Sequence, residues 1–118
     1  MVVLQDSPTD HELDRLFRSL ACATRRDIVR RVMAGEDASV SSLAERYDMS
    51  FAAVQKHVAV LAEAGLVSKH HHGRERRVRG NPEQLAKARA LLARLEQLWT
   101  ERFAQLDAVL ADPPPPQA

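Results

Sequence analysis

The residues with the richest chemistry in this chain fall between Ser50 and Arg79. Ser50 can accept from the free amides of a helix's first turn, and beyond it come Gln55 and Lys56, a carboxamide and an ammonium set among small residues. Val54, Val58 and Leu61 recur at helical spacing and form an inward stripe, which leaves Ala52, Gln55, Lys56, Ala59 and Glu63 on the opposite side. Short residues let such a helix approach a DNA major groove closely. The glutamine suits adenine, and the lysine suits guanine or phosphate. Directly after this segment, residues 66–80 hold five Lys or Arg against one Glu, although the whole chain carries a net charge of only +1. A basic patch in a nearly neutral chain is the electrostatic footprint of phosphate neutralisation, and Lys69, His72, Arg74 and Arg76 are its expected contacts. The competing reading of the helix alone is an amphipathic segment that meets only solvent.

Other reactive groups carry less. Cys22 stands near a helix start followed by Arg25 and Arg26, a setting that lowers a thiol pKa and suits a redox sensor; a small cysteine without a resolving partner is more often simply packed. His70 and His72 would share one face of a strand and could chelate a metal, but nothing nearby is spaced to complete the site. His57 lies beside Val54, Val58 and Leu61, which favours a hydrogen-bonded, half-buried imidazole over a base reader. Neither a phosphate-cradling glycine loop nor a nucleophile, base and acid at workable spacing is present, so enzymatic activity is not expected. No metal and no cofactor are expected either.

The elements that must position these groups follow from periodicity and capping. Leu13, Leu16, Phe17 and Leu20 mark a helix over residues 10–20, after a loose arm, 1–9, that ends at Thr9 or Asp10. Thr24 with Asp27 resembles a capping box and opens a second helix to about Ala34, stopped by Gly35, with Arg25, Arg26, Arg30 and Arg31 along its outer side. Ser39 or Ser41 caps a short third helix through Tyr47, and Asp48-Met49 turns the chain into the helix that begins after Ser50. Short helix, tight turn and longer helix form the helix-turn-helix pattern. Leu66–Lys69 and Arg76–Arg79 read as two strands around a His70–Glu75 loop, a basic wing able to lie along a phosphate backbone. Asn81-Pro82-Glu83-Gln84 opens a last helix with an N-cap, a first-turn proline and a box-closing glutamine, and the helix runs to about Ala111, before the proline run.

Leu85, Leu92, Trp99 and Leu106 recur every seven residues on that last helix, flanked by Ala88, Leu95, Phe103, Val109 and Leu110. One domain cannot cover so many apolar residues on about 45 Å of helix, so a second copy is expected across a two-fold axis, with Leu13, Leu16 and Phe17 of the first helix beside it. The 118 residues, 45% of them hydrophobic, fit one mainly α domain with a β-hairpin wing over residues 10–111, and a disordered Pro-rich tail over 112–118. The sequence shows no apolar run of membrane-spanning length and no secretory leader, and its single cysteine fits a reducing compartment; a cytoplasmic location is expected.

Several strings, in order, resemble the ArsR family of bacterial winged-helix repressors: Leu20-Ala21-Cys22-Ala23-Thr24-Arg25, Val40-Ser41-Ser42-Leu43-Ala44, Met49 to Val58, Leu61 to Val67, and Gly73-Arg74. The resemblance spans roughly residues 10–80. It implies a homodimeric repressor that occupies an inverted repeat in double-stranded operator DNA, often upstream of its own gene, and releases it when an effector binds. By similarity, Ser50, Phe51, Ala52, Gln55, Lys56 and His57 fall on the recognition helix, and Arg74 and Arg76 on the wing. The family's metal sensors place cysteines on the third helix, or acidic and histidine ligands on the last. Ser41–Tyr47 has no cysteine, and 82–111 has neither histidine nor cysteine, so the resemblance is to the branch without a metal site, and the effector stays unassigned. The alternatives are a winged helix that binds protein, and a thiol or metal sensor built on Cys22 or His70–His72.

Overall fold

The computed structural model describes residues 7–111. Most of the expected arm, residues 1–6, and the whole tail, 112–118, lie outside the described residues. The element order is α1 (Asp10–Ser19), α2 (Ala23–Met33), β1 (Ala38–Ser39), α3 (Val40–Tyr47), α4 (Phe51–Glu63), β2 (Val67–His72), β3 (Glu75–Gly80) and α5 (Pro82–Ala111). Two compact units divide the chain, the first ending at Ala88 and the second beginning at Arg89. No helix among the described residues is long and apolar enough to cross a membrane.

In the first unit the apolar stripes of all the elements meet in one core. Leu16 of α1, Ile28, Val29 and Val32 of α2, Val40 and Leu43 of α3, Val54, Val58 and Leu61 of α4, Val67 and Val78 of the hairpin and Ala88 of α5 are all buried there. Stripes at helical spacing account for this convergence, because each helix has only one face it can remove from water. Leu16 is fully buried, at 0% exposure, and corrects the expectation that it faces a partner chain: α1 turns it into its own core. Leu13 and Phe17 are half-buried.

Local chemistry sets the helix ends. Thr9 caps α1 by accepting from Glu12 N at 3.1 Å. Ser39 and Ser42 form a reciprocal capping box on α3, so the first of the two candidate caps is used. Asp48, at φ 51°, takes the left-handed turn into α4, a conformation that Asp and Asn tolerate better than most residues. The second helix differs from expectation. It starts at Ala23 with Cys22 as N-cap and no side-chain cap bond. Asp27 does not close a box on Thr24, because its carboxylate is taken by Arg30, Arg31 and Tyr47.

The sheet is also larger than expected. Its order is β1-β3-β2, all antiparallel, with Ala38 opposite Val78 and Ser39 opposite Arg77. Two residues of β1 give no periodic signal, which is why the sequence shows only a hairpin. The hairpin itself runs further, His72 pairing with Glu75, so the three histidines lie in β2 and the loop shrinks to Gly73-Arg74. Gly73 has φ +65° at the first of these two positions, where a type II′ turn places glycine.

α5 starts at Pro82 as expected, but the expected capping box is replaced. Gln84 is buried and its side-chain amide donates to Ala64 O at 2.9 Å and Glu12 Oε1 at 3.2 Å. In the second unit the helix continues with Leu92, Leu95, Leu98, Trp99, Phe103, Leu106, Val109 and Leu110 all exposed, Trp99 to 60%. Trp99 and Phe103 meet edge to face with centroids 4.6 Å apart.

Candidate nucleic-acid interface

The α4 helix is built to present its N-terminal half. Ser50 Oγ accepts from Ala53 N at 3.1 Å, which satisfies one of the first-turn amides, and Val54, Val58 and Leu61 anchor the inner face. Phe51, Ala52, Lys56, Val60 and Glu63 are exposed, while Gln55 and Ala59 are half-buried at the edges of that face. The outward stripe is therefore rotated slightly from the expected one, with Phe51 (47% exposed) and Val60 added to it. Its first two turns combine an aromatic ring, a methyl group, an amide and an ammonium.

His57 points elsewhere. It is half-buried, and its Nδ1 lies 3.4 Å from Arg25 Nη1 on α2. Burial, and then the Arg25 charge, lower its pKa. The Arg25 contact gives the ring the hydrogen-bonded, half-buried setting that its apolar neighbours suggest. Arg25 is itself committed, with Nε donating to Ser19 O at 2.6 Å.

The hairpin register divides the wing residues between two faces. Lys69 lies opposite the buried Val78, and His71 opposite Arg76, so Lys69, His71 and Arg76 share the core-side face. His70 and His72 share the other face with Glu75, Arg77 and Arg79, and His72 sits directly across from Glu75. Lys69 and Arg76 are thus brought together, Arg74 sits at the turn, and His72 is separated from them on the opposite face. Arg77, which sequence reading passed over, pairs with Asp37 next to β1 and with Glu75 at 3.4 Å. It therefore anchors the wing to the β1 segment, and it draws the Asp37 carboxyl below its ordinary range. Its register against Ser39 was invisible without β1.

Charge pairing separates structural cations from uncommitted ones. Arg30 and Arg31 bind Asp27, and Arg31 and Arg46 bind Glu36. Lys56, Lys69, Arg74 and Arg76 are exposed and have no ion-pair partner among the described residues. The arginines along the outer side of α2 are largely occupied with their own fold, Arg26 with Leu20 O at 2.9 Å.

Cys22 is half-buried, and the backbone N–H of Arg25 against its sulfur is the main influence lowering its pKa. His70 Nε2 lies 2.8 Å from Ser68 Oγ. Among the described residues no three His, Cys, Asp or Glu side chains converge on a metal-sized site.

A capped helix, tight turn and second helix followed by an antiparallel hairpin, whose β3 also pairs with β1, defines a winged helix-turn-helix, the DNA-binding fold of transcriptional regulators. A helix-turn-helix domain family model matches residues 20–70. A crystal structure of an ArsR family transcriptional regulator is 32% identical, with 80% of this chain and 96% of that one covered and a TM-score of 0.73. An ArsR-like transcriptional regulator from Rhodococcus sp. RHA1 is 34% identical over 84% of this chain and 92% of its own, with a TM-score of 0.70. The chain belongs to the ArsR family of transcriptional regulators. The homodimeric winged helix-turn-helix DNA-binding domain of a Mycobacterium bovis protein shares the fold at 20% identity, with a TM-score of 0.61 over 82% of this chain and 89% of that one. No curated protein matches the chain.

Proposed function

We propose that the protein is a cytoplasmic homodimeric repressor that binds an inverted-repeat operator in double-stranded DNA, its own upstream region included. Residues 10–111 act as one DNA-binding and dimerisation domain in this reading. Two α4 helices enter successive major grooves about 34 Å apart, and the wings lie on the flanking backbone. Ser50, Phe51, Ala52, Gln55 and Lys56 approach the bases or adjacent phosphates, and Lys69, Arg74 and Arg76 neutralise phosphates. The observation that carries the reading is the set of uncommitted cations on α4 and the wing, where the arginines of α2 and α3 are paired or bonded to main-chain oxygens.

The homodimer draws its support from the exposed apolar side of α5, and from the homodimeric relative of the same fold. Leu92, Leu95, Trp99, Phe103, Leu106 and Leu110 would be covered by the same residues of a second copy, with Leu13 and Phe17 of α1 at the margin. Such a two-fold pairing is the economical way to remove a self-complementary apolar face from water.

Selection of bound duplexes from a randomised library tests the reading. The expected product is an inverted repeat whose half-site centres lie about one turn, roughly 34 Å, apart. Recovery of sequences without two-fold symmetry, or no enrichment at all, would overturn it.

A further inference from the structure

The C-terminus of α4 is closed by side chains from outside the helix. Gly65, at φ +81°, ends it in a Schellman arrangement, with Leu66 N donating to Leu61 O at 3.0 Å and Gly65 N donating to Ala62 O at 3.0 Å. Those bonds satisfy the earlier carbonyls and leave the last ones open. Gln84 Nε2 of α5 donates to Ala64 O at 2.9 Å, Asn81 Nδ2 donates to Gly65 O at 3.1 Å, and Arg15 Nη1 of α1 reaches Glu63 O at 3.5 Å. Asn81 N adds a bond to Leu66 O at 2.8 Å. Gln84 is itself held in place, because it also donates to Glu12 Oε1, which Lys87 Nζ binds at 2.7 Å. That pairing draws the Glu12 carboxyl below its ordinary range.

Apart from the longer Arg25–His57 contact at 3.4 Å, the rest of the grip on α4 is of a different kind. Val54, Val58 and Leu61 hold it through apolar contact, which resists removal from the core but is weakly directional. Hydrogen bonds to carbonyls at the helix end fix both direction and distance. Base readout depends on both, since a bidentate contact to a base edge tolerates little roll or slide. Phosphate contacts from flexible lysines and arginines tolerate much more.

We infer that Gln84 and Asn81 are positioning residues for sequence readout: they latch the end of the recognition helix and set its roll and depth, without touching DNA. The inference rests on the DNA-binding reading above for its consequence, and on the contacts just described for its mechanism. It gives the first turn of α5 a task separate from the apolar face that follows.

The test uses the full chain with Gln84→Met, which keeps length and loses the amide, and Asn81→Ala as a second variant should the first fail to fold. Two quantities are measured. Hydrogen exchange of the Gly65 and Leu66 amides in the free protein should quicken by about fivefold, the equivalent of one net hydrogen bond. The ratio of affinities for a duplex selected by the parent and for a random duplex should fall about tenfold, while random-duplex affinity and its salt slope stay parental. A loss of general stability alone would not separate the two duplexes in this way. Parental exchange rates would overturn the latch whatever the DNA result. Faster exchange with an unchanged ratio would overturn its positioning role. A parent chain that fails to discriminate would instead strike the DNA-binding reading, and the exchange rates would still decide the latch.

Discussion

Tyr47 donates its hydroxyl proton to Asp27 Oδ2 over 2.6 Å, and this bond ties the last residue of α3 to the middle of α2. Arg31 Nε sits against both partners, 2.8 Å from the carboxylate and 3.1 Å from the phenol, with its guanidinium carbon 5.7 Å from the Tyr47 ring centre. Removing only the hydroxyl isolates the contribution of this tie. Tyr47→Phe should lower the unfolding free energy by about 1–2 kcal/mol, as expected for a partly buried bond to a charged acceptor. Urea denaturation of the two proteins measures it directly; equal midpoints would show that the ring alone positions α3.

The same carboxylate sets an acid limit on stability. The Tyr47 hydroxyl, followed by Arg30 and Arg31, holds the Asp27 carboxyl well below the usual carboxylate range, while burial and the carboxylate push the Tyr47 phenol up to about 12. A depressed carboxyl contributes stability that is fully present above its unfolded value of about 3.9 and is lost as pH falls through the folded value. His57 acts in a separate window. Its folded pKa is lowered, so the unfolded chain binds the extra proton and stability falls as pH drops from about 6.5. Melting temperature against pH should therefore decline in two stages, and His57→Gln should remove the upper stage alone. A single decline below pH 4 in the parent would contradict the assignment of His57.

Gly65 and Gly73 share positive φ but not surroundings. A Cβ on Gly65 would lie 3.1 Å from Gln84 Cδ, whereas one on Gly73 would meet nothing within 4 Å. Gly73→Ala should show the backbone penalty alone, about 1 kcal/mol, and Gly65→Ala should exceed it. Thermal unfolding of the two variants checks the order; equal losses would mean that Gln84 yields without resistance.

Trp99 and Leu106 are exposed on α5 and carry the pairing proposed for two copies. Replacing both with Glu should give monomers, with DNA affinity reduced by two orders of magnitude or so through loss of the second half-site. Analytical ultracentrifugation decides this, and a persistent dimer would place the interface elsewhere.

The helices and their stops were legible because capping and spacing are local: Thr9, Ser39, Ser50 and Gly65 each act within a few residues of themselves. What could not be read depended on distant partners. Asp27 abandoned a local cap for Tyr47, Gln84 abandoned one for Ala64 O, and β1 exists only because β3 lies beside it. Leu16 shows the same limit from the other side, since its spacing marks it as apolar but not as belonging to its own core rather than a partner's. In the candidate interface, the basic wing was evident from composition. The division of its residues between two faces was not, because register needs the pairing itself.

The most direct test is fluorescence anisotropy over a range of salt, comparing the parent with Gln55→Ala and Arg74→Ala on a selected duplex and on a random one. The account predicts that Gln55→Ala loses roughly 1–3 kcal/mol of preference at one base position in each half-site and leaves random-duplex binding intact. Arg74→Ala should weaken both duplexes alike and reduce the salt slope by about one per wing. Parental curves from both variants on both duplexes would contradict the claim that α4 and the wing form the DNA-binding surface.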